Sequence, residues 1–173
     1  RILEIGTGSG AVAVCLAKEC AWAQVWATDI SAAALDVARG NAVRHGVDER
    51  IRWGQGDLFA PVQELLTGFD VVVSNPPYIA SGKILQLQRN VRDWEPKLAL
   101  DGGIDGMAFF RRLVRGGVRY LRAGGVLAVE VGAEQGIEVS RLFRAEGGLR
   151  RVRLRQDYAG LLRVVTAERV PGG

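Results

Sequence analysis

One histidine, one methionine and two cysteines in 173 residues exclude several common chemistries. His45 stands alone beside Gly46 at an expected helix end. Neither a histidine-based zinc site nor a Ser-His-Asp triad can be built around it, and no metal is expected. Cys15 and Cys20, five apart in an expected helix, diverge and should not bridge. They read as reduced, buried, structural thiols, which points to the cytoplasm. No uninterrupted apolar run approaches the roughly 20 residues that cross a bilayer. No basic-then-apolar opening marks an export signal, so no membrane partner is expected. Proline is scarce as well, yet two of the five stand together, at Pro76 and Pro77.

What is present is ordinary globular composition, 48% apolar and 24% charged, in a length that suits one domain with a sizeable core. No internal repeat, linker or low-complexity tract divides it, so residues 1–173 are expected to form a single domain. The chain opens without an initiator Met, already inside an apparent strand, Arg1-Ile2-Leu3-Glu4-Ile5. It is therefore expected to be a piece of a longer protein. Net charge is 23 − 19 = +4. Much of the excess is late, at Arg141, Arg144, Arg150, Arg151, Arg153 and Arg155. Such residues suit either a basic face that meets RNA or a solvated helix and charged edge strand.

Apolar runs alternate with helical patterns. Strands are predicted at Ile2–Ile5, Gln24–Thr28, Ile51–Gly54, Phe69–Ser74, Gly125–Val131, Arg150–Gln156 and Leu162–Glu168. Helices are predicted at Ala11–Cys20, Ala32–His45 with Ser31 as N-cap, Gly106–Leu121 and Glu134–Glu146, with a helical turn or two at Val62–Leu66. Gly116-Gly117 weakens the third of these helices by roughly 1 kcal/mol per glycine. Strand–helix alternation predicts a mostly parallel sheet covered on both faces. The last two strands, joined by a Tyr158-Ala159-Gly160 turn, should form an antiparallel edge hairpin. Residues 79–101 hold no strong element beyond a short helix near Lys83–Gln88; a loop that long is usually functional.

Four features fall at the carboxyl ends of successive strands, where open α/β sheets bind ligands. Gly6-Thr7-Gly8-Ser9-Gly10 joins the first strand to the first helix, permitting a tight turn and presenting free N–H groups to an anion. Asp29, followed by Ile30, ends the second strand, 19 residues beyond Gly10. Its carboxylate can accept from ribose hydroxyls, as in many sites for adenosine-containing cofactors. Asp57 follows the third strand and can accept from an adenine amino group, with Leu58 as an apolar wall. Asn75-Pro76-Pro77-Tyr78 follows the fourth. Proline offers no N–H and a fixed φ. The turn can thus aim carbonyl oxygens outward without competing donors, an arrangement suited to gripping an –NH2 group.

In this order, Gly-Thr-Gly-Ser-Gly, Asp29, Asp57 and Asn-Pro-Pro-Tyr, the chain looks like a class I S-adenosylmethionine-dependent methyltransferase. The four-residue motif resembles that of enzymes methylating planar amino groups. Residues 91–106, Val-Arg-Asp-Trp-Glu-Pro-Lys-Leu-Ala-Leu-Asp-Gly-Gly-Ile-Asp-Gly, closely resemble the protein-(glutamine-N5) methyltransferases of HemK type. Those enzymes modify the glutamine of the Gly-Gly-Gln motif in peptide-chain release factors. The resemblance runs from Arg1 to about Val165.

The resemblance implies a Rossmann-like catalytic domain with a seven-stranded sheet, using S-adenosylmethionine and releasing S-adenosylhomocysteine. It implies cofactor contacts from Gly6, Thr7, Gly8, Ser9, Gly10, Asp29, Ile30, Asp57, Leu58 and Asn75. It implies that the Asn75 side-chain carbonyl and the Pro76 backbone carbonyl accept the two N–H groups of a substrate amide. Pro77 would complete the turn, and Tyr78 would pack on the amide plane. The Asn75 amide NH2 can be held by a neighbour, which would fix the carbonyl toward the substrate without placing full negative charge beside it. The N-terminal helical domain by which such enzymes dock the release factor is not in this sequence, and Leu58 replaces an often aromatic residue. A nucleic-acid amino methyltransferase acting on adenine or guanine is the alternative, not favoured. An NAD-binding oxidoreductase would leave Asp57 and Asn75–Tyr78 unexplained.

Overall fold

The computed structural model describes residues 1–65 and 68–171, excluding the side chains of Asn90 and Val91. Seven strands form one sheet: β1 (Ile2–Ile5), β2 (Val25–Asp29), β3 (Ile51–Gln55), β4 (Phe69–Ser74), β5 (Leu121–Glu130), β6 (Leu149–Gln156) and β7 (Leu162–Arg169). Their spatial order is β3-β2-β1-β4-β5-β7-β6. The first five run parallel, and β7 lies antiparallel between β5 and β6. The expected hairpin is therefore present, with its second strand inserted inside the first.

The helices are α1 (Ala11–Glu19), α2 (Ala32–Arg44), α3 (Arg89–Arg92), α4 (Lys97–Leu100), α5 (Ala108–Tyr120) and α6 (Gly136–Ala145). Side chains alternate across a strand, so β1 feeds both faces of the sheet. Ile2 joins Ala13, Val14 and Ala17 of α1 and Ala42 of α2. Leu3 and Ile5 join Phe110, Leu113 and Val114 of α5 and Val139 and Phe143 of α6. Two buried layers thus hold the carboxyl edge of the central strands rigidly. Among the described residues, no helix is long and apolar enough to cross a membrane.

Several boundaries shift. The predicted turn at Val62–Leu66 is a 3-10 segment, Ala60–Leu65, and Leu66 lies outside the described residues. The helix expected from Gly106 begins at Ala108, because Gly106 takes φ 73°. α5 passes straight into β5, which starts four residues earlier than the apolar run suggested. Ser31 caps α2 as expected: its Oγ accepts from the Ala34 N–H at 3.2 Å. The cysteines are not buried. Cys15 is exposed and Cys20 partly so, because the inward stripe of α1 is Ala13, Val14 and Ala17. The late arginines are distributed over the exposed side of α6 and the edge strand β6, where Arg150 and Arg151 pair with Glu168.

Candidate active site

All the predicted site elements converge on one cleft of about 970 Å3. It is lined by the Gly6–Ser9 loop, Asp29, Ile30, Asp57, Leu58 and Asn75 through Tyr78. Gly10 lies behind, buried as the N-cap of α1.

The strand ends are stitched together. The Gly6 and Thr7 amides donate to the Thr28 carbonyl at 2.8 and 2.9 Å. Ser74 Oγ, at the end of β4, donates to the Ile5 carbonyl at 2.7 Å. Asp29 is committed on both oxygens: one accepts from the Gly8 amide at 2.8 Å, the other from the Ser31 amide at 2.9 Å. It fixes the loop and the start of α2 at once, while still bordering the cleft. Thr7 also lines the cleft. Its side chain is buried and its hydroxyl donates to Glu4 at 2.6 Å, leaving mainly backbone for a ligand.

Glu4 itself is a feature that strand periodicity concealed. It reads as one residue in an apolar strand, yet it lines the cleft floor at 3% exposure. Burial raises its carboxyl from 4.5 to about 7, opposed by the Thr7 hydroxyl and an Ala13 amide and assisted by Asp29. A second feature missed in the sequence is Arg112 of α5. Its guanidinium lies 2.5 Å from Asp57, on the carboxylate expected to meet adenine. Leu58 takes φ 48° and borders the cleft.

Asn75 is exposed, Pro76 is buried, and Pro77 and Tyr78 are partly buried. Among the described residues, the exposed Asn75 side chain makes no hydrogen bond to the protein. The turn is secured from behind instead. The Ile79 amide donates to the Leu100 carbonyl at 3.0 Å, and the Gly102 amide to the Ile79 carbonyl at 2.8 Å. A Cβ on Gly102 would stand 2.8 Å from Tyr78 Cα, and one on Gly106 would stand 2.5 Å from the Tyr78 carbonyl oxygen. The glycines of the 91–106 segment therefore let that loop lie flush against the Asn-Pro-Pro-Tyr backbone. The long segment is less irregular than expected: it holds a 3-10 turn, Ser81–Gln86, followed by α3 and α4. Glu95, Pro96 and Leu98 reach the rim of the cleft. Among the described residues, no cluster of His, Cys, Asp or Glu could hold a metal.

Sheet order, glycine turn and acidic strand ends define a Rossmann-like class I methyltransferase fold. Solved structures agree. A SAM-dependent O-methyltransferase from Thermotoga maritima superposes with TM-score 0.72 at 16% identity, covering 100% of this chain and 60% of that one. A methyltransferase from Pyrococcus furiosus gives TM-score 0.69 at 21% identity, covering 99% and 75%. The profile of the family described as "Methyltransferase small domain" matches residues 1–104, and the chain belongs to that family. Curated relatives are closer in sequence. A "Release factor glutamine methyltransferase" from Moorella thermoacetica is 46% identical over 168 residues, 97% of this chain and 58% of the relative. One of the same name from Gloeobacter violaceus is 44% identical over 165 residues, 95% of this chain and 57% of the relative. The chain thus spans a little under three-fifths of their lengths.

Proposed function

We propose that this chain is the catalytic part of a methyltransferase that moves a methyl group from S-adenosylmethionine to the side-chain amide nitrogen of a glutamine. The protein substrate is a peptide-chain release factor, modified at its Gly-Gly-Gln motif. The observation that carries this reading is the single cleft joining Gly6–Ser9, Asp29 and Asp57 to Asn75–Tyr78. The names of the relatives favour a glutamine over a nucleic-acid base.

The residues fit such a donor. The loop ahead of α1 offers backbone N–H groups, Asp29 borders the place for a ribose, and Leu58 walls the place for adenine. When bound, S-adenosylmethionine supplies an electrophilic sulfonium methyl. Asn75 and Pro76 do the rest by orientation. An amide nitrogen is a poor nucleophile because its lone pair is delocalised into the carbonyl. The Asn75 Oδ1 and the Pro76 carbonyl each accept one substrate N–H, turning the lone pair toward the methyl; as the nitrogen–methyl bond formed, the sulfur–methyl bond would break to leave S-adenosylhomocysteine, and one N–H proton would pass to water. Tyr78 packs against the amide plane. Positioning of this kind lowers a barrier without a strong base, and acceptors facing a nitrogen that gains positive charge stabilise the transition state.

A methyl-transfer assay offering release factor, RNA and DNA to the intact protein separates the readings. Label on the release factor alone supports this one; label on RNA or DNA alone overturns it. Calorimetry with S-adenosylhomocysteine and NAD tests the donor, since binding of NAD alone would point to an oxidoreductase.

A further inference from the structure

Resting on the reading above, we propose that Gln135 is a positioning residue for the amide grip, a clamp that fixes the Tyr78 end of the Asn-Pro-Pro-Tyr turn. Gln135 is the N-cap of α6, far in sequence from every motif of the site. Its Nε2 donates to the Tyr78 carbonyl at 3.0 Å and to the Gly106 carbonyl at 3.2 Å. Its Oε1 accepts from the Gly132 amide at 3.2 Å. One carboxamide therefore uses both its donors and its acceptor to join three backbone segments: the motif turn, the glycine-rich loop and the β5–α6 connection.

The surroundings are cut to fit this side chain. A Cβ at position 106 would stand 2.8 Å from Gln135 Nε2, and one at position 132 would stand 2.7 Å from Gln135 Oε1. Only a carboxamide satisfies the pattern. A glutamate carboxylate would set negative charge against two carbonyl oxygens and donate nothing. Among the described residues the Asn75 side chain has no hydrogen-bond partner, so its placement depends on the turn that carries it. Gln135 fixes the other end of that turn and acts through it, without touching the reacting amide.

The test uses the intact protein bearing Gln135→Ala or Gln135→Glu. In Gln135→Ala, kcat for release-factor methylation should fall at least tenfold, while Kd for S-adenosylhomocysteine stays within threefold. In Gln135→Glu, kcat should be comparably low at pH 8. Its ratio to the unsubstituted enzyme should rise as pH falls, because a protonated carboxyl regains one donor. Amide hydrogens of Ile79 and Gly102 should exchange at least tenfold faster in Gln135→Ala, with those of Gly6 and Thr7 unchanged. A kcat within twofold of the parent, a parallel loss of S-adenosylhomocysteine binding, or a pH-flat ratio would overturn the clamp. If the unsubstituted protein methylates no release factor, the functional reading fails separately, and the exchange rates still decide the clamp: unchanged Ile79 and Gly102 would overturn it.

Discussion

Arg112 and Asp57 form an ion pair, 2.5 Å from Nη2 to Oδ2, at the end of the cleft where adenine is expected. Both side chains are about half exposed, so the pair adds little to stability, about 1 kcal/mol at most. Its consequence is competition, since a carboxylate oxygen held by a guanidinium is less available to an adenine amino group. Arg112→Ala should therefore bind S-adenosylhomocysteine more tightly, by up to about fivefold, the equivalent of that ~1 kcal/mol. Isothermal calorimetry checks this. Tenfold weaker binding would show instead that Arg112 contacts the ligand.

Asp29 holds the glycine loop and α2 together through two backbone amides. Hydrogen bonds to a charged acceptor contribute about 1.5–3 kcal/mol. Asp29→Ala should weaken S-adenosylhomocysteine binding by roughly 10- to 100-fold and also lower Tm, because the side chain that holds the loop is also the one proposed to meet the ligand. A variant with lowered Tm but unchanged affinity would confine Asp29 to a structural role.

Glu4 gives a pH signature. Its folded carboxyl titrates at about 7 against an ordinary 4.5, chiefly through burial. Below pH 4.5 it is protonated in folded and unfolded chains alike, so no penalty exists. Between 4.5 and 7 the unfolded chain ionises first, and the folded state loses ground as pH rises, on the order of 3 kcal/mol in all. Urea unfolding of Glu4→Gln, which keeps an acceptor for the Thr7 hydroxyl, should show stability relative to the parent that rises across this window and levels off above it. A pH-independent difference would show that Glu4 is ionised in the fold throughout.

How much of this was legible depended on distance along the chain. The strand–helix alternation placed the glycine turn, Asp29, Asp57 and Asn75 at one sheet edge, because parallel topology puts successive strand ends together. Glu4 and Gln135 were hidden because their roles come from partners that packing brings near. Arg112 looked like one of many charges on α5, and only the fold aims it at Asp57. Gly116 and Gly117 looked like helix weaknesses. In the structure a Cβ at 116 would lie 2.3 Å from Phe59, and one at 117 would lie 3.0 Å from Leu127, so they permit close packing. The cysteines misled because hydrophobic character alone does not say which side of α1 faces inward.

Substitution of Asn75 should separate binding from turnover. The residue is exposed to the cleft and supports no other described part of the fold through its side chain. Asn75→Ala should keep S-adenosylhomocysteine affinity within about threefold while lowering kcat at least ~100-fold, about 2.7 kcal/mol of transition-state stabilisation. Near-normal turnover would remove Asn75 from the proposed mechanism.

The most direct test of the central claim is transfer of tritiated methyl from S-adenosylmethionine by the intact protein to a release factor and to the same factor with its Gly-Gly-Gln glutamine replaced. Label is expected on the first and none on the second. Equal labelling of both, or labelling of neither, would contradict it.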